Sequence, residues 1–376
     1  MIFVYSFTVT TLGIILIIYV LVNLRRIKQL KNQPIVSDQP ALAIIVAVRN
    51  EEEDVEKALQ SLCNINYTNH RLIVVNDRST DRSAEILRGF YHPKLEVITI
   101  DALPDGWLGK NHALYQGYKN SNEEWMLFTD ADIEFHPDAI SRAFGYVEKH
   151  QLDHLSVLPD VRSRSAMLNS VLATFSIMLM VFTRPWDARN PNRSGSIGVG
   201  AFNLVRRTAY EQAGTHTAIK LRPDDDLKLG QNIKGAGLRQ DVLGGEGYIS
   251  LEWYKNISQF INGLMKNTFA VRNYNVFMSI ADVLATLFTI ALPIPIMLIF
   301  GDNGIRTMAC LLWAMQIVYM IAVPPNKWWY ALMIPIAGSL MAYIVARSAY
   351  ITLKQGGIYW RDSFYPLAML KDKKQT

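Results

Sequence analysis

Cysteine is nearly absent from this chain: Cys63 and Cys310 are the only two in 376 residues, and the second lies inside an apolar run. That excludes a disulfide framework and a thiolate zinc site, and fits a reducing compartment. Two phosphate-binding loops are also missing. No G-x-x-x-x-G-K-[ST] run occurs, and Gly198-Val199-Gly200 lacks the third glycine of a dinucleotide fingerprint and does not follow the first strand. Lys and Arg number 38 against 33 Asp and Glu, a net charge of +5. No basic stripe interleaved with aromatics accompanies that excess, so no nucleic acid is expected as a partner. Charge is missing altogether from residues 2–22, a run long enough to cross a bilayer.

What is abundant is apolar surface. Half of the residues are hydrophobic, and the mean hydropathy of +0.10 is high for a soluble enzyme. The excess lies at the two ends. No small-residue cleavage site follows the first run, so residues 1–24 are expected to be an uncleaved transmembrane anchor. Arg25, Arg26, Lys28 and Lys31 follow at once, which places the next domain in the cytoplasm of a multi-pass plasma-membrane protein. A C-terminal transmembrane region is expected over 277–353, in stretches 277–300, 305–323 and 328–353, with Trp328, Trp329 and Tyr330 as an interfacial belt. A basic tail over 354–376 carries Arg361, Lys371, Lys373 and Lys374. One anchor and three spans would put that tail opposite the catalytic domain, whereas its charges prefer the cytoplasm. The first stretch, broken by Pro293 and Pro295, is the candidate for a re-entrant segment.

Between the ends, over about residues 40–270, strands and helices alternate. Strands are expected at Leu42–Val48, Leu72–Val75, Leu95–Ile100, Trp125–Thr129 and Leu155–Leu158. Helices are expected at Glu51–Leu62, Ser79–Phe90 (opened by Ser79 or Thr80), Lys110–Asn120 and Pro137–His150. That order implies an α/β fold with a mostly parallel sheet and helices on both faces. Residues 166–182 interrupt it with a Met-rich apolar helix, which can be buried, interfacial or spanning. The interfacial reading is preferred, because a span would put Asp132 and Asp226 on opposite sides of the bilayer.

The acids gather where strands end. Phe128-Thr129-Asp130-Ala131-Asp132 closes one apolar run, Asp77 another, and Glu51 follows a third. In an extended segment Asp130 and Asp132 would share a face. Their repulsion makes sense if a hard divalent cation sits between them and a phosphate. Acids at three strand ends match a nucleotide–metal site along one edge of a parallel sheet. Gly106-Trp107-Leu108-Gly109-Lys110 leads into a helix, where Lys110 could meet a phosphate. Asp224, Asp225 and Asp226 precede another helix; capping accounts for one of them, and crowding would raise their proton affinity as a general base requires.

Taken in order, Asn50-Glu51-Glu52, Asn76-Asp77-x-Ser79-Thr80-Asp81, Gly109-Lys110-Asn111-x-Ala113-Leu114, Asp130-x-Asp132, Gly214-Thr215-His216 and Asp225-Asp226-x-x-Leu229 resemble the family 2 glycosyltransferases. The resemblance implies the GT-A fold and the membrane-bound lipid-glycosyltransferase layout shared by ceramide glucosyltransferase, the hopanoid-associated transferases and the carotenoid (diaponeurosporenoate) glycosyltransferase. By it, Arg49, Glu51 and Asp77 would contact the nucleoside, Lys110 the diphosphate, and Asp225 the nucleotide-sugar. Asp130 and Asp132 would bind the nucleotide-sugar and Mg²⁺ or Mn²⁺, and Asp226 would be the base. The implied partners are a nucleotide-diphosphate sugar, a UDP-sugar first, and a membrane lipid acceptor. The acidic pair is Asp225-Asp226 rather than Glu-Asp. The Q-x-x-R-W box is replaced by Gln259-Phe260-Ile261-Asn262-Gly263, which argues against a processive polysaccharide synthase. Lys266 then remains as a diphosphate contact or a juxtamembrane anchor. A polyprenyl-phosphate acceptor and a catalytically silent membrane scaffold are the alternative readings.

Overall fold

The structure, a computed structural model, describes residues 1–360 and 363–371, with Lys266 described by its backbone alone. Arg361, Lys373 and Lys374 of the basic tail lie outside the described residues. The chain divides into two compact units. One gathers Met1–Arg26, Ser163–Phe182 and Tyr254–Lys371; the other gathers Ile27–Arg162 and Thr183–Trp253.

The second unit is the α/β body. Its strands are β1 (Lys28–Gln29), β2 (Leu42–Val48), β3 (His70–Asp77), β4 (Leu95–Ile100), β5 (Trp125–Asp130), β6 (Glu134–Phe135), β7 (His154–Leu158), β8 (Asp160–Val161), β9 (Asn203–Arg206), β10 (Gln240–Gly244) and β11 (Ile249–Leu251). Eight form one sheet in the order β1-β10-β7-β9-β5-β2-β3-β4, and β6-β11-β8 form a smaller one. Within the large sheet β9 alone runs antiparallel, against β5 and β7; the others pair in parallel. Leu42, Ile44, Val46 and Val48 enter one apolar core and Ala43 and Ile45 the other, because successive residues of a strand face opposite sides. β2 is therefore apolar along its whole length, as a strand covered on both faces must be.

Register decides where the motifs meet. Val48 pairs with Asn76 and Ala47 with Asp130, so β2, β3 and β5 end together along one edge. Two expected helix starts are corrected. The helix expected at Glu51 begins at Val55, and the one expected at Ser79 begins at Ser83. In both cases the intervening polar residues are engaged in loop-to-loop hydrogen bonds instead of a first helical turn.

The first unit is helical: α1 (Ile2–Leu24), α6 (Ala166–Thr183), α9 (Ile257–Thr268), α10 (Val276–Thr286), α11 (Pro293–Phe300), α12 (Asn303–Ala322) and α13 (Ile334–Gln355). Among the described residues, four helical segments are long and apolar enough to cross a membrane: Ile2–Leu24, Ala166–Asp187, Asn303–Ala322 and Trp328–Gln355. The stretch from 277 to 300 is not one helix. It breaks at a π-helical turn, Leu287–Ala291, just before Pro293. Leu172 is buried and the Phe175 ring meets Phe260 edge-on, so α6 turns part of its apolar face into its own unit.

His154, at the start of β7, is fully buried and its Nε2–H donates to Asn203 on β9. Burial pushes its pKa down from 6.5 to about 4. The unfolded chain takes up the proton near 6.5 while the folded chain resists until about 4. This contribution to stability is therefore complete above 6.5 and lost as the pH falls through that window. The thermal midpoint of the detergent-solubilised protein should drop on acidification from pH 7 to pH 4, and His154→Gln should flatten that slope.

Candidate active site

The two loops that follow β2 and β3 hold each other. Asn50 Oδ1 accepts from the Thr80 amide at 2.8 Å, and Ser79 Oγ accepts from the Asn50 amide at 3.2 Å. Ser83 Oγ accepts from Glu51 N at 2.8 Å, while Asp81 and Glu52 each accept a backbone N–H from the opposite loop, at 3.1 and 3.0 Å. Asn50 and Arg78 both sit at positive φ, 55° and 53°, where the chain reverses. Much of the polar content of these motifs thus builds the loops themselves. Within the clasp the Arg49 guanidinium donates to the Asp77 carbonyl at 3.0 Å and lies 3.9 Å from its carboxylate. That carboxylate is almost fully buried and is gripped by Arg78 through Nε at 2.7 Å and Nη2 at 3.0 Å.

Asp77 also abuts α4 (Gly109–Lys119). A Cβ on Gly109 would lie 2.2 Å from Asp77 Oδ2, so the close approach requires glycine. The next residue, Lys110, points its ammonium at Asp130 Oδ1 (2.6 Å) and Asp225 Oδ2 (3.8 Å). Burial works against the charge, but Asp130, Asp225 and Asp226 outweigh it and raise the lysine pKa. Asn111 explains how α4 meets α8 (Asp225–Gly235). Its amide donates to the carbonyls of Ile219, Lys220 and Arg222, the segment that leads into the acidic helix.

The acidic pair after β5 departs from expectation. The strand stops at Asp130, and Ala131 and Asp132 form a turn, so the shared-face argument for an extended segment does not apply. Crowding persists nonetheless. Burial, then Asp130, then Glu51 raise the pKa of Asp132. Its Oδ1 is buried without a hydrogen-bond partner. An orphaned carboxylate oxygen beside two further acids is the environment a divalent cation would relieve. Among the described residues no three His, Cys, Asp or Glu side chains are gathered to hold an ion. The residues present therefore fit an ion that takes one or two carboxylates and completes its shell from a ligand's phosphates.

The three consecutive acids have three different surroundings. Asp224 is buried and paired with Arg222 at 2.8 and 2.7 Å. Asp225 is buried opposite Lys110. Asp226 is half-buried; its Oδ2 accepts the Gly200 amide at 2.9 Å and its Oδ1 the Leu227 amide at 2.8 Å. Burial raises the pKa of both Asp225 and Asp226. Lys110, Asp130, Asp225 and Asp226 share one cleft with Gly200 and His216.

Of the residues singled out by sequence, Lys110, Asp130, Asp225 and Asp226 come together in that cleft, and Arg49 and Asp77 form a neighbouring pair. Glu51 is close enough to Asp132 to raise its pKa. The Lys266 side chain lies outside the described residues. Sequence reasoning passed over Gly200 and Arg222 and gave His216 no role. A Cβ on Gly200 would lie 2.6 Å from Asp130 Oδ2. The glycines flanking Val199 are the sequence signal for this approach, although they fit no dinucleotide fingerprint.

Residues 43–214 match the model of the family described as glycosyl transferase family 2. A 4,4'-diaponeurosporenoate glycosyltransferase from Staphylococcus aureus is 27% identical over 270 residues, covering 68% of this chain and 71% of the relative. A mannosyltransferase from Pyrobaculum calidifontis, solved in complex with GDP-Man and Mn²⁺, superposes with a TM-score of 0.59. It is 16% identical and covers 94% of this chain and 98% of its own. At that identity the likeness speaks for the fold alone, which is GT-A. Residues 43–214 thus form a glycosyl transferase family 2 domain.

Proposed function

We propose that this enzyme transfers a sugar, with inversion and with a divalent metal, from a nucleotide-diphosphate sugar to a membrane lipid, its catalytic domain on the cytoplasmic side of the plasma membrane. The observation that carries the reading is Asp226. Its carboxylate is held by two backbone amides, has its pKa raised by burial, and opens on a cleft that contains Lys110 and Asp130. A half-buried carboxylate with raised proton affinity is suited to general-base work near neutral pH.

In this reading Asp226 takes the proton of the acceptor hydroxyl. The hydroxyl oxygen bonds to the anomeric carbon as the bond from that carbon to the diphosphate breaks, and attack from the opposite face inverts the centre. Lys110 offsets the charge left on the departing diphosphate. Arg49, Glu51 and Asp77, at the ends of β2 and β3, face the nucleoside. Asp132, with Asp130, would hold Mg²⁺ or Mn²⁺, which when bound neutralises developing phosphate charge. Asp225 opposite Lys110 contacts the sugar nucleotide. The donor is a UDP-sugar first, with a GDP-sugar as the other class to test, since the Pyrobaculum structure holds GDP-Man.

The acceptor class rests on the first unit. Among the described residues four segments are long and apolar enough to span a membrane, and α1 turns Phe3, Phe7, Leu12, Ile15 and Ile18 outward. An acceptor with a long apolar chain would partition to such a protein at about 0.8 kcal/mol per buried CH₂. The relative from Staphylococcus aureus is named for a carotenoid acid, itself an apolar molecule.

Asp226→Asn keeps the shape and removes the basicity. Turnover should fall about 10²-fold or more with donor affinity little changed; near-normal turnover would move the base to Asp225, since Arg222 already neutralises Asp224. Asp132→Ala should abolish Mn²⁺-dependent binding of the nucleoside diphosphate, measured by calorimetry; undiminished binding in excess Mn²⁺ would remove Asp132 from the metal site. Lipid extracts of cells with and without the gene, fed labelled nucleotide-sugars, should differ in one labelled glycolipid. Efficient transfer to a water-soluble acceptor instead would defeat the lipid assignment.

A further inference from the structure

His216 is almost fully buried, yet its ring lines the cleft that holds Lys110, Asp130 and Asp225. Its surroundings define its proton. The backbone N–H of His216 donates to the Tyr210 hydroxyl at 2.9 Å, and that hydroxyl lies 2.5 Å from His216 Nδ1. With the phenolic oxygen already accepting from the amide, its hydrogen is directed at Nδ1; the opposite arrangement would leave a buried O–H without a partner. Nδ1 therefore accepts. A neutral imidazole that accepts at Nδ1 carries its hydrogen on Nε2. The ring is neutral because burial, and then Lys110, push its pKa down to about 3. Phe128 meets the ring edge-on at 5.0 Å and the Tyr210 ring lies 5.5 Å from it, so the Nδ1 hydrogen bond and two aromatic rings orient the imidazole.

Two groups that line the cleft with Lys110 thus differ in kind: an N–H donor on His216 and a carboxylate acceptor on Asp225. A phosphate oxygen could accept from the first but would be repelled by the second. A hydroxyl satisfies both, since it accepts from one and donates to the other. Resting on the glycosyltransferase reading above, we propose that His216, locked by Tyr210 as the Nε2–H tautomer, donates a hydrogen bond to a hydroxyl of the donor sugar and thereby helps select that sugar.

The test separates sugar from diphosphate. Full-length protein in detergent with Mn²⁺ is titrated with UDP-GlcNAc against UDP, and with GDP-Man against GDP. His216→Phe should weaken the nucleotide-sugar that the wild type binds by about tenfold and leave the matching diphosphate unchanged. His216→Gln retains an N–H and should weaken it less. A ring that served only to pack against Phe128 would give the reverse order, with Phe tolerated better than Gln, and that order would overturn the proposal. Equal losses for nucleotide-sugar and diphosphate would overturn it too. Tyr210→Phe leaves the imidazole in place but frees Nδ1. It should cost the nucleotide-sugar about threefold and the diphosphate nothing; no change in either would also overturn the proposal. Wild-type protein that binds none of the four compounds would instead sink the glycosyltransferase donor reading, and this inference with it.

Discussion

The Lys110 ammonium lets carboxylates from two separate chain segments face one cleft. Asp130 comes from the end of β5; Asp225 and Asp226 come from the start of α8. Three partly desolvated carboxylates repel one another, and removing the partner of a buried charge typically costs about 3–5 kcal/mol. Lys110 sits 2.6 Å from one and 3.8 Å from another. Its position is set by the three carbonyls that Asn111 gathers from residues 219–222, and by Gly109, which lets α4 start hard against Asp77.

Around that ion pair the acids divide their work. Asp224 is spent on Arg222, and Glu52 and Asp81 on backbone amides of the opposing loop. Asp77 is largely engaged by Arg78. Left without a guanidinium partner are an oxygen of Asp132 with no hydrogen bond, the Asp226 carboxylate held by two amides, and Asp130 and Asp225 beside the lysine. A carboxylate already saturated by a guanidinium is poorly placed to bind a metal or take a proton, so the partners each acid already has decide which are available.

The apolar unit follows a different rule. Its helices satisfy their own backbone, and some of its polar side chains pair within the same unit. Arg272 makes two contacts of 2.6 Å to Asp282 at the corner where Asn273 and Tyr274 turn the chain through positive φ. Thr10 on α1 reaches the Met297 sulfur on α11. Such pairing is expected where hydrocarbon rather than water would otherwise surround the groups.

Local sequence was sufficient for much of this. β2 has the bounds that its apolar run implies, because a strand covered on both faces leaves an uninterrupted hydrophobic signature; β4, at the sheet edge, also has its expected bounds. The acids at the strand ends, the lysine at a helix start and the acidic triplet were all visible as residue types in unusual places. Tertiary structure decided the rest. Ser79, Thr80 and Glu51 look like the first turns of helices, and only the adjacent ends of β2 and β3 turn them into a clasp. Asp224 is set apart by Arg222, two residues before it, but Asp226 only by the Gly200 amide, which arrives from 26 residues away. The tautomer of His216 depends on a tyrosine hydroxyl that must answer two groups of one residue at once. Periodicity and propensity report burial along an element. The pairing of charges and hydrogen bonds is settled only when distant segments are brought within about 3 Å of one another.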